Sequence, residues 1–87
     1  MTTATPNRPI YEIAREIKSI WRTQGKGIYF GAVPHLDALL TVDKPTDIYI
    51  TESGKWIAAY FLANASTFKG EDAKRLKLEL KKVCGIK

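Results

Sequence analysis

Histidine and cysteine carry much of the acid–base, nucleophilic and metal chemistry of proteins, and this chain holds one of each, His35 and Cys84. Neither stands in a CxxC or HxxxH spacing, so no zinc-type ligand set can be assembled around them. A Cys–His nucleophile needs Cys84 beside His35 and a third group to orient the imidazole. Cys84 instead falls one residue before Gly85 and close to an apolar seam, the setting of a partly buried structural thiol. His35 reads as a polar residue near the start of a helix. Two carboxylate pairs remain. Glu71 and Asp72 sit where a helix begins, and a helix N-terminus favours negative charge. Glu12 and Glu16 lie beside basic residues on an exposed helix face. Gly25-Lys-Gly27 lacks the third glycine of the dinucleotide fingerprint and the Gly-Lys-Ser/Thr of a phosphate loop, so it reads as a turn. The Asn64-Ala-Ser66 triplet falls at the end of a buried helix in a cytoplasmic chain and is set aside as a glycosylation site. No constellation of catalytic groups survives. The chain is expected to be non-enzymatic, with no metal and no cofactor.

Charge is the stronger signal. The net charge is +5, and residues 69–87 hold seven Lys/Arg against three Asp/Glu, whereas residues 1–68 hold seven against six. At helical spacing Lys74, Lys77 and Lys81 fall within about 60° of one another, and Arg75 and Lys82 form a second row about 100° away. Leu78 lies between the rows and off the apolar seam. An apolar residue ringed by charge is the anatomy of an interface, although lysine stems can also cover such a leucine. A second basic stripe is Tyr11, Arg15, Lys18 and Arg22, where cations with an interleaved aromatic suit phosphate contact and base stacking. The C-terminal helix holds no Asn, Gln or Ser to read base edges, and Arg75 is its only arginine. Any nucleic-acid binding is therefore expected to be phosphate-driven, with weak sequence specificity.

The elements that must position these residues form one small domain. Eighty-seven residues, 45% hydrophobic and 10% aromatic, suit a globular fold. Residues 1–8 read as a flexible tail and 9–87 as a single helical domain. The first helix opens near Pro9. Its apolar stripe is Ile10, Ile13, Ala14, Ile17, Ile20 and Trp21, within an arc of about 120°, and Gly25 stops it. Pro34 opens a short second helix through Leu36, Leu39 and Leu40. Residues 43–47 form a turn. Ile48-Tyr-Ile-Thr51 has strand-like composition but no convincing second strand to pair with, so an extended lead-in or an early turn of the third helix is preferred. Thr51 or Ser53 can cap that third helix, which runs through Ala65. Residues 56–68 carry no charge at all, so this helix is expected to be central and buried nearly all round. The fourth helix begins at Glu71 and stops at Gly85, with Ala73, Leu76, Leu80 and Val83 as its seam. The fold expected is all-α: a compact bundle of about four helices with a central apolar third helix and a basic C-terminal one. The uncharged block is too short to cross a bilayer. A lone cysteine and no apolar leader point to the cytoplasm.

Two stretches, Tyr29-Phe-Gly-Ala-Val-Pro-His-Leu36 and Tyr60-Phe-Leu-Ala-Asn-Ala-Ser-Thr-Phe-Lys-Gly-Glu-Asp-Ala-Lys-Arg75, resemble a group of small uncharacterised proteins encoded by bacteriophages and prophages of actinobacteria and their relatives. The resemblance spans about residues 10–82. The related stretch has Trp in place of Phe68 and Arg in place of Lys69 and Lys74, which keeps the aromatic and the charge. No activity is attached to that group, so the resemblance transfers no functional residue. It implies a phage or prophage source and a protein that acts by binding host or phage macromolecules. The leading expectation is a non-enzymatic binding protein that engages an acidic protein surface in the host cytoplasm through Lys74, Arg75, Lys77, Leu78, Lys81 and Lys82. The alternative is a nucleic-acid-binding accessory protein with weak sequence specificity that uses both basic stripes, that of the fourth helix and that of Tyr11, Arg15, Lys18 and Arg22. Trp56, Tyr60, Phe61 and Phe68 are many aromatics for one domain of this size to cover, which leaves homo-oligomerisation open.

Overall fold

The computed structural model describes residues 8–86, so residues 1–7 of the expected tail 1–8 lie outside the described residues, as does Lys87. Four helices, α1 (Ile10–Trp21), α2 (Val33–Leu39), α3 (Gly54–Ala63) and α4 (Glu71–Cys84), make the protein mostly helical. A single tighter turn, Phe30–Ala32, leads into α2. α1 packs on α4, α2 on α3, α3 on α4 and α1 on α2.

Each helix end has a physical cause. Pro9 stands just before α1, with no N–H to leave unpaired. The free N–H groups of Ile10 and Tyr11 donate to the carbonyls of Asp43 (2.9 Å) and Val42 (2.8 Å), which dock the start of α1 on the chain after α2. Ser53 caps α3, its Oγ accepting from the Trp56 N–H at 3.4 Å. α3 ends at Ala63, two residues earlier than expected, where the Asn64 side chain donates back to the Tyr60 carbonyl. α4 closes on Gly85 at φ 68°. There the Gly85 and Ile86 N–H groups donate to the carbonyls of Lys82 and Lys81, the paired bonds of a Schellman stop.

Arg8, the first described residue, is tied to two helices. Its guanidinium forks onto the Glu79 carboxylate at 2.8 and 2.6 Å and also meets Glu16 at 2.9 Å. Arg75 reaches the other Glu16 oxygen at 2.7 Å and Asp72 at 3.2 Å. The seam between α1 and α4 is thus closed by a chain of alternating charges.

The all-α expectation needs one amendment. Ile48–Tyr49 (β1) and Glu52–Ser53 (β2) form a two-stranded antiparallel hairpin, with Ile48 opposite Ser53 and Tyr49 opposite Glu52. The second strand is polar and only two residues long, so it has no periodicity by which to be found. The hairpin is extended by the Gly54 N–H on the Asp47 carbonyl (2.8 Å) and the Lys55 N–H on the Pro45 carbonyl (3.0 Å). At its tip Ile50 has φ 61°, alone among the described non-glycine residues in having a positive value. A β-branched residue in that region stores about 1–2 kcal/mol. With only the first central residue positive, the turn follows the type II′ pattern, which prefers glycine there.

The core joins the expected stripe of α1 to Leu36, Leu39, Ile57, Phe61, Phe68, Leu76 and Leu80. Trp21 sits at its centre, edge-on to Phe61 at 6.0 Å and stacked on Phe68 at 5.1 Å. The third helix is not buried all round. Gly54, Ile57, Ala58 and Phe61 face inward, while Trp56 and Tyr60 are 55% and 45% exposed. The absence of charge over residues 56–68 reflects two different faces rather than one core.

Candidate functional site

The six residues singled out on α4 divide into two groups. Leu78 stands 61% exposed, whereas Leu76 and Leu80 are fully buried. Lys74 and Lys82 are exposed beside it and Lys81 is half-buried. Arg75 and Lys77 point elsewhere. Arg75 is held by Glu16 and Asp72, and its hydrogen bond is the largest of the causes that keep the Glu16 carboxyl below the usual carboxylate range, helped by Arg8 and opposed by burial. Lys77 donates to the Phe68 carbonyl at 2.7 Å and lies 5.8 Å from the centre of that ring. Burial, and after it the charges of Lys81 and Lys69, lower the pKa of the Lys77 ammonium. The ring of five cations therefore reduces to three around Leu78.

Lys77 shares its task with Gln24. The Gln24 side chain donates to the Lys69 carbonyl at 2.7 Å and accepts the Lys69 N–H at 3.3 Å. Together they fix the segment between α3 and α4, whose Ala65 and Phe68 plug the core. Lys77 is the α4 cation that meets that plug, through the Phe68 carbonyl.

The α1 stripe is brought together as expected, with one difference. Arg15, Lys18 and Arg22, with Ser19 and Leu40, line an open cleft of about 430 Å³ between α1 and the end of α2. No carboxylate lines it, and none of the three cations forms an ion pair among the described residues. The Arg15 guanidinium lies over the Tyr11 ring, 5.1 Å from its centre. That face of Tyr11 is occupied by a cation–π contact and is closed to a stacking ring.

Sequence reasoning missed a third surface. Tyr49 and Ile50 of the hairpin, Pro34, His35 and Ala38 of α2, and Ile57 and Tyr60 of α3 surround a mainly apolar groove of about 300 Å³. Ile50 is 83% exposed at its rim, and the His35 ring lies 5.9 Å from that of Tyr60. The signal was present in the spacing. Trp56 and Tyr60 are four apart on one stripe, more than about 100° from the middle of the stripe that carries Ile57, Ala58 and Phe61.

The remaining chemistry is sparse. Cys84 is buried, and desolvation pushes its thiol up to about 11, so little thiolate forms near neutral pH. Among the described residues no group of three or more His, Cys, Asp or Glu is placed to hold a metal ion. Gly25 and Gly27 take positive φ in the turn after α1. That turn walls a largely apolar cleft of about 440 Å³, in which Lys26 is the only charged side chain. No helix among the described residues is long and apolar enough to cross a membrane. Comparison of the chain with protein-family models, with curated proteins and with solved structures finds no match.

Proposed function

We propose that this chain is a small, non-enzymatic, phage-type binding protein that engages an acidic surface of a host or phage protein in the host cytoplasm through α4. The observation that carries the reading is Leu78, an exposed leucine on a helix whose other leucines are buried. Lys74, Lys81 and Lys82 surround it with positive charge, while Arg75 and Lys77 brace the helix from behind. An apolar anchor that is desolvated on binding, rimmed by charges that steer the encounter, fits a partner surface carrying carboxylates around a shallow apolar pocket. Leu78→Asp places a like charge against that partner and removes the anchor. Because Leu78 is exposed, the variant should melt within about 0.5 kcal/mol of the parent. In affinity capture from nuclease-treated host lysate, an acidic protein should be retained by the parent and lost from Leu78→Asp. Equal capture by the two folded proteins rejects the α4 assignment.

A second reading is supported by the α1 cleft. Three cations with no carboxylate among them, and a serine hydroxyl at hand, suit a phosphate backbone. If Arg15, Lys18 and Arg22 each neutralise one phosphate, affinity for generic duplex DNA should fall roughly 40-fold between about 50 and 200 mM salt. Arg22→Glu should weaken binding equally across unrelated sequences. No mobility shift at micromolar protein in the lower salt eliminates this reading.

A further inference from the structure

We infer that the face made by α2, the hairpin and α3 is the interface of a two-fold symmetric homodimer. Three observations identify a second copy as its occupant. The face offers both halves of an apolar contact. It carries a protruding knob, the 83% exposed Ile50, beside an open apolar groove of about 300 Å³ walled by Pro34, Ala38, Ile57 and Tyr60. A two-fold axis lets each copy seat its knob in the groove of the other, the isologous arrangement in which one patch serves both sides.

Its charge also matches. Residues 31–66 hold Asp37, Asp43, Asp47 and Glu52 against Lys44 and Lys55, while the rest of the chain holds twelve Lys/Arg against five Asp/Glu. Two copies that meet on the α2–hairpin–α3 face keep their strongly positive halves apart.

The area is sufficient. Tyr49, Ile50, Trp56 and Tyr60 are all between about one-third and five-sixths exposed. At roughly 100 Å² each they offer about 400 Å² before the groove walls are counted. A standard interface takes about 800 Å² from each partner, a little over half of it apolar. Ile48 is excluded from the patch, because strand alternation turns it to the other side of the hairpin from Tyr49. The strained φ of Ile50 fits the same picture: glycine would suit the turn better, but it would supply no knob.

The test is sedimentation of the full chain from micromolar to millimolar concentration, with acrylamide quenching of tryptophan read in parallel. The parent should move from a mass of 9.8 kDa to twice that value. Trp56, exposed in the single copy, should become shielded over the same range, while Trp21 is buried throughout. Ile50→Asp should stay at the mass of one copy where the parent is dimeric. Ile50→Gly, which relieves the turn, should do the same while melting no earlier than the parent. Leu78→Asp should dimerise like the parent, which separates this interface from the α4 surface. A parent that stays at one copy up to millimolar concentration overturns the proposal. So does growth beyond two copies, or an Ile50→Gly protein that dimerises as the parent does.

Discussion

Trp21→Ala is expected to lower the unfolding free energy by about 3–5 kcal/mol, the cost of deleting a fully buried large aromatic and leaving its cavity. The loss falls on a chain whose total stability is on the order of 4–13 kcal/mol at this length. Trp21 is the hub rather than one core residue among many. It ends α1, stacks on Phe68 of the segment between α3 and α4, and meets Phe61 of α3 edge-on. Truncation removes two aromatic contacts and a large apolar area at once, and Phe68 then loses the surface against which its loop is ordered. Urea unfolding followed by circular dichroism measures the effect without relying on tryptophan emission. Trp56→Ala is the control, since half of that side chain already lies in solvent. A loss below about 1 kcal/mol for Trp21→Ala would mean that the core does not converge on this residue.

Gly54→Ala is the second large effect, and its sign is opposite to the usual one. Exchanging glycine for alanine in a helix ordinarily gains about 1 kcal/mol. Here a Cβ would meet Val42 Cγ1 at 2.7 Å, the Lys44 carbonyl oxygen at 2.9 Å and Pro45 Cα at 3.4 Å. Two of the three atoms are backbone, and that backbone also accepts the Lys55 N–H at Pro45 and supplies Asp43 and Val42 to the start of α1. It cannot retreat without loosening α1. A cost of about 1–3 kcal/mol follows from such overpacking. Thermal or urea melts read it directly, and Gly54→Ala combined with Val42→Ala should recover part of it relative to Val42→Ala alone. Gly31 makes a useful contrast. Its added Cβ would lie 2.5 Å from the Tyr29 ring, but that ring is 42% exposed and can swing away. If Gly54→Ala melts with the parent, the close approach of residues 42–45 to α3 is refuted.

Particular residues show which parts of the fold were readable. The α1 stripe was legible because Ile10, Ile13, Ala14, Ile17 and Trp21 repeat at helical spacing, and each is buried. The ends of α4 were legible because Glu71, Asp72 and Gly85 obey local rules of capping and dipole. Missing charge over α3 points to burial all round, whereas Trp56 and Tyr60 present an apolar face to solvent. The Glu52–Ser53 strand was invisible because a two-residue ladder carries no pattern. The candidate site was half legible. Spacing alone put Leu78 between two basic rows, and it stands exposed there. Spacing could not tell that Arg75 would be drawn to Glu16, 59 positions away, or Lys77 to the Phe68 carbonyl. Those contacts belong to the way helices pack, and no local window contains them.

The charged seam between α1 and α4 also governs when the chain can fold. Arg8 and Glu79 are 71 positions apart, and the apolar stripe of α1 is covered largely by the last helix. α1 is only 12 residues long, too short to persist alone in water. During synthesis, which adds about 5–20 residues each second, the side of α1 that meets α4 waits for several seconds until α4 has been made. The sequential pairs α1–α2, α2–α3 and α3–α4 are local, and the α1–α4 seam is the one helix contact that adds a long loop closure to them.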